Sequence, residues 1–110
     1  MSVHPIQSRA VGTFKFESCV SQATLVRLLR NLRQEFGNRF IDLHLRDPGQ
    51  DNCICLGFCF KYEGNGETAF NQAFHTLRSF LVSELGSKPG KPQIPRSVKS
   101  WSVSNVLFYT

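Results

Sequence analysis

The order of apolar patterns along the chain predicts an α+β fold, a four-stranded antiparallel sheet with two helices on one face. Three observations lead there. Strand-type alternation appears four times. Helix-type spacing appears twice, each time between strands. Turn residues punctuate every junction. At 110 residues the chain has the length of one domain, and 41% hydrophobic with 19% charged residues is a globular balance.

Residues 1–10 contain Pro5 and show no periodicity, so they read as a flexible leader before a single domain over 11–110. The first strand follows in "VGTFKFE" (Val11 to Glu17). Phe14 and Phe16 point one way; Thr13, Lys15 and Glu17 point the other. In "SQATLVRLLRNLRQEFGN", Leu25, Leu28, Leu29, Leu32 and Phe36 fall on one helical stripe, with Ser21 as the N-cap and Gly37 as the stop. "RFIDLHLRD" is the second strand, with Ile41, Leu43 and Leu45 on one face and Phe40, Asp42, His44 and Arg46 on the other. "DPGQDN" is a turn signal that joins it as a hairpin to Cys53–Tyr62. "EGNGE" breaks the chain before a second helix bearing Phe70, Ala73, Phe74, Leu77, Leu81 and Leu85, which Gly86 ends. Residues 87–97 hold three prolines at every third position and read as an extended Pro-rich connector. "SWSVSNVLFYT" is the last strand, its alternation shifting phase near Asn105 as at a bulge. Strand, helix, strand, strand, helix, strand is the ferredoxin-like βαββαβ order. Strands 1 and 3 are expected at the centre, as a parallel pair, with strands 2 and 4 at the edges.

Alternation also sorts the cysteine-rich third strand. Ile54, Leu56, Phe58, Phe60 and Tyr62 share one face; Cys53, Cys55, Gly57, Cys59 and Lys61 share the other. The large apolar set belongs against the helices, because a one-residue slip would bury Lys61 and expose the large side chains. "GFCF" resembles the centre of the third strand of RNA-recognition motifs, but that family stacks bases on exposed aromatics. Here Phe58 and Phe60 point inward, and Lys61 stands where the family has an apolar residue. The C-x-C-x3-C row spreads its thiols along a strand and does not converge as C-x2-4-C zinc pairs do. The cysteines therefore read as small structural residues, and no metal or cofactor is expected.

Net charge is +5. Four of the thirteen basic residues, Lys88, Lys91, Arg96 and Lys99, lie between Ser87 and Lys99, a segment with no acid. The rest of the chain has nine basic and eight acidic residues. Such a nearly neutral body is a poor footprint for nucleic acid. The basic tail, with Arg27 and Arg30 of the first helix, is the candidate contact for an anion or for weak, non-specific nucleic acid. No apolar run could span a bilayer and the N-terminus lacks signal-peptide character, so a cytoplasmic, reducing setting is expected.

No nucleophile–base arrangement or phosphate-cradling loop is present. His44 beside Asp42 is the one cluster resembling chemistry, and it supports an alternative reading as a small dimeric α+β-barrel enzyme. The leading expectation is a non-catalytic interaction or assembly module. It would dock a protein partner, or a second copy as a homodimer, on the open sheet face through Thr13, Lys15, Phe40, His44, Cys53, Cys55, Gly57 and Cys59. The second alternative is an RNA-binding protein using the basic tail and the first helix.

Overall fold

The structure is a computed structural model that describes residues 7–64 and 66–108. It is an α+β arrangement: β1 (Gln7–Phe16), α1 (Gln22–Phe36), a 3-10 turn (Gly37–Arg39), β2 (Phe40–Arg46), β3 (Cys55–Glu63), α2 (Gly66–Leu85), β4 (Ser87–Lys88), β5 (Lys91–Pro95) and β6 (Val98–Phe108). Four strands form one sheet in the order β2-β3-β1-β6, and β4 and β5 pair separately. Every neighbouring pair is antiparallel.

β1 begins at Gln7, so the part of the expected leader from residue 7 onward is strand; residues 1–6 lie outside the described residues. β1 and β3 are central as expected, but antiparallel. The helix between β1 and β2 is a crossover that makes those two strands run the same way. The β2–β3 hairpin then reverses direction, and β3 inserts between them, antiparallel to both.

The core lies between one sheet face and both helices. β1 contributes Ala10, Phe14 and Phe16, β2 Leu43, and β3 Leu56, Phe58 and Phe60. α1 adds Leu25, Leu28, Leu32 and Phe36, and α2 adds Leu77 and Leu81. Phe14 stacks on Phe58 at 5.5 Å and on Phe74 at 6.1 Å. Phe36 of α1 meets Phe60 and Phe80 edge-on at 5.5 and 5.4 Å, tying α1, β3 and α2 together. Phe58 and Phe60 are thus inside, as the alternation required.

The caps are those the sequence implies. Ser21 Oγ accepts from the Thr24 amide at 3.2 Å, and Gly37 and Gly86 close the two helices with φ of 54° and 83°. The 87–97 segment differs from a plain connector. Pro89–Gly90 turns it back on itself, and β4 and β5 form a short hairpin packed on α2. Prolines are compatible with so short and peripheral a pair because little ladder is lost. The irregularity of the last strand also lies elsewhere. β6 pairs with β1 without a break across Asn105, and the register shifts at Lys15/Phe16, opposite Val98. Asn105 stays in phase on the inner face, where its side chain accepts a hydrogen bond from the Tyr62 hydroxyl at 2.5 Å.

Candidate functional site

The sheet face opposite the helices can be built row by row from the strand registers. Arg46, Cys55, Lys15 and Ser100 form one row across β2, β3, β1 and β6. His44, Gly57, Thr13 and Ser102 form the next, and Asp42, Cys59, Val11 and Ser104 the third. Lys61 and Arg9 stand opposite each other beyond these. The two middle rows are therefore small or low on the central strands. Lys15 and Arg46 flank one end, Arg9 and Lys61 the other. Cys55 and Lys61 are six positions apart on β3, which places these ends about 20 Å apart. Asp42, Asp51 and Glu63 add acidic groups to this rim.

His44 is held across the face by Asp42 and Arg46, its neighbours on β2. Arg46 Nε is an obligate donor and reaches His44 Nε2 at 3.2 Å, so Nε2 carries the lone pair. The neutral ring is then the Nδ1–H tautomer, which donates to Asp42 Oδ1 at 3.1 Å. Asp42, His44 and Arg46 meet because residues two apart on a strand share a face. The imidazole lies over Gly57. A methyl group built at position 57 would stand 2.8 Å from His44 Cε1 and 2.9 Å from Nε2. The missing side chain at Gly57 thus makes room for a ring of the same chain.

The other members of the expected site are placed as follows. Thr13, Lys15, Cys55, Gly57 and Cys59 are on the open face. Lys15 is ion-paired with Asp51 from the β2–β3 loop. Hydrogen bonding and charge attraction from Asp51 hold the Lys15 ammonium above its usual range, and the same contact, with the Cys53 amide, holds the Asp51 carboxyl below its own. Phe40 is not on this face. The β2–β3 register shifts between Phe40 and Asp42, so the bulge turns Phe40 inward, against Phe36 at 5.7 Å and Phe60 at 5.2 Å, and leaves Ile41 46% exposed. Cys53 is not available either. It precedes β3, is 4% exposed, and sits under the loop with its amide on Asp51 Oδ1 at 3.1 Å.

The four cysteines are free thiols; Cys19 is exposed, Cys55 and Cys59 half-buried. No group of three or more His, Cys, Asp or Glu side chains able to hold a metal ion occurs among the described residues. The anion candidates stand on separate elements, Arg27 and Arg30 exposed on α1, and Lys88, Lys91 and Arg96 on the β4–β5 hairpin and the turn after it. Arg33, their neighbour on α1, instead donates to the Leu43 carbonyl of edge strand β2 at 3.0 Å.

Sequence reasoning missed Asp51 and the hydrogen bond from Arg46 to His44. Asp51 lies in a loop, where no periodicity assigns a direction. The serines of β6 were legible from their alternation. A groove of about 210 Å³ lined by Arg39, Tyr62, Gln72 and Thr76 lies at the far end of β3 from His44. No helix among the described residues is long and apolar enough to cross a membrane. No family model, curated protein or solved structure matches the chain.

Proposed function

We propose that the chain is a non-catalytic docking module built on a ferredoxin-like βαββαβ fold, elaborated by the β4–β5 hairpin, and that its open sheet face receives a flat surface of a partner protein. The strand order β2-β3-β1-β6, with a helix linking β1 to β2 and another between β3 and β6, supports the fold assignment. The observation that carries the functional reading is the profile of the open face. Val11, Thr13, Cys55 and Cys59 stand on the two middle strands around Gly57, which the His44 ring covers, and charged side chains bound this patch at both ends. A small-residue centre lets another main chain or sheet approach closely, and a charged rim sets orientation and association rate.

Two features favour this reading over the alternatives. Both ring nitrogens of His44 are engaged, by Asp42 and Arg46, which leaves the imidazole no free position for proton transfer. Phe14, Phe58 and Phe60 are buried, so these rings are not a base-stacking platform.

The test is recovery of complexes under native conditions with Cys59→Arg beside wild type. The substitution raises a long cation in the middle of the docking surface and leaves the core side of β3 untouched. Loss of the partner with an unchanged circular dichroism spectrum is expected. Retention of every partner refutes the assignment. Selective binding to nucleic acid in place of protein, lost on neutralising Lys88, Lys91, Arg96 and Lys99, moves the function to the basic hairpin.

A further inference from the structure

The two edges of the sheet are treated differently. Edge strands expose unpaired amides and carbonyls, and proteins guard them with charges, prolines and bulges. β2 is guarded: it has a bulge at Phe40/Asp42, charges at Asp42 and Arg46, and the Arg33 guanidinium on the Leu43 carbonyl. β6 is the opposite edge, and its neighbour in the sheet is β1. From Ser100 to Phe108 it runs nine residues without a charge or a proline, and its register with β1 is unbroken over that length.

We infer that the outer edge of β6 pairs antiparallel with β6 of a second copy. The sequence of the strand argues for a copy of itself over an unrelated strand. Ser100-Trp101-Ser102-Val103-Ser104 reads serine, apolar, serine, apolar, serine in both directions. A two-fold axis through Ser102 sets Ser102 against its own counterpart, Ser100 against Ser104, and Trp101 against Val103. The serines extend the open face, and the half-buried Trp101 and Val103 extend the helix side, where Trp101 packs on Phe14 and Phe74. Both faces of the sheet therefore continue in phase across the junction, which a one-residue slip would destroy. Lys99 falls opposite Asn105, so no like charges meet on the paired edges. Such an interface is isologous and closes as a dimer. It joins two sheets into eight continuous strands, with all four helices on one side. This pairing is independent of what docks on the open face.

The experiment is sedimentation and native mass of the full chain across a concentration series, with amide exchange of β6. Wild type is expected to dimerise, and amides between Trp101 and Ser104 to exchange more slowly in the dimer. Ser102→Lys sets two lysines against each other at the axis and should leave a folded monomer. Mixing S102K with S102E should restore a heterodimer, because position 102 meets itself. Ser104→Lys serves as the second variant should S102K fail to fold. Cys59→Arg should leave the dimer intact. A monomer throughout the series overturns the inference, as does a dimer indifferent to both lysines. So does a dimer abolished by Cys59→Arg with β6 exchange unchanged, which means stacked open faces. Protection of β6 by a segment of a different protein, in place of a second copy, also overturns it.

Discussion

Replacing Gly57 by alanine sets two opposing effects against each other, and the His44 ring decides which prevails. Gly57 does not have a positive φ, so alanine fits its backbone. On that ground alone the change stabilises by about 0.4–1 kcal/mol, through the lost freedom of the unfolded chain. The new methyl group, however, falls 2.8 and 2.9 Å from two atoms of the imidazole. The ring must swing away, breaking its hydrogen bonds to Asp42 and Arg46. At about 0.5–1.5 kcal/mol each, those two bonds are together worth about 1–3 kcal/mol. The net effect in the wild-type background is a destabilisation of about 1 kcal/mol. Removing the ring first reverses the sign. In a His44→Ala background Gly57→Ala should stabilise by about 0.4–1 kcal/mol, giving a coupling energy of about 1–3 kcal/mol. Urea unfolding of the four proteins, read at constant m-value, measures it. A Gly57→Ala effect of the same sign and size in both backgrounds refutes the placement of His44 over Gly57.

Three further perturbations test the fold beneath the site. Phe58→Ala removes a ring stacked on Phe14 inside the core and should cost about 3–5 kcal/mol in the same denaturation assay; a cost near zero means that β3 is inverted. Gly12→Ala should destabilise and weaken amide protection in β6, because the added methyl group would stand 2.2 Å from the Ser102 carbonyl oxygen, a backbone atom that cannot step aside; an unchanged melting temperature contradicts the close seating of β6 on β1. Asp51→Asn should lower the melting temperature only within a pH window. The Asp51 carboxyl is held below its usual 3.8, so its contribution is present above that value and fades as acid protonates it. The Lys15 ammonium is held above its usual 10.5, so its contribution is full below that value and fades at higher pH. The difference between variant and wild type should vanish at both ends, and a pH-independent difference contradicts the pairing.

What was legible in the sequence was whatever depends on local periodicity. The large side chains of β3 alternate without interruption, so alternation alone assigns its buried face. The α1 stripe and its caps follow from spacing alone. What was not legible depends on pairing. A bulge resets the phase of β2, and nothing in "RFIDLHLRD" marks it, so simple alternation puts Phe40 on the open face where the structure turns it inward. The covering of Gly57 by His44 exists only once β2 and β3 are in register. Alternation alone groups Gly57 with the docking residues of the open face, where the structure fills the space above it with an imidazole. The relative direction of β1 and β3 was recoverable from topology, since a crossover followed by a hairpin leaves no other choice. The β4–β5 hairpin was hidden by its prolines, although Pro89–Gly90 carries a turn signal of its own.

The chain holds its own reporters for the open face. Cys55 and Cys59 are half-buried at its centre, Cys19 is exposed near the start of α1, and Cys53 is buried under the β2–β3 loop. Alkylation rates of the four thiols, followed by mass spectrometry in the isolated chain and in a natively purified complex, locate the docking surface without any substitution. If a partner seats on the open face, Cys55 and Cys59 slow to the rate of Cys53 in the complex while Cys19 reacts as before. Complexes in which Cys55 and Cys59 keep their isolated-chain rates contradict the account, because the partner is then bound elsewhere.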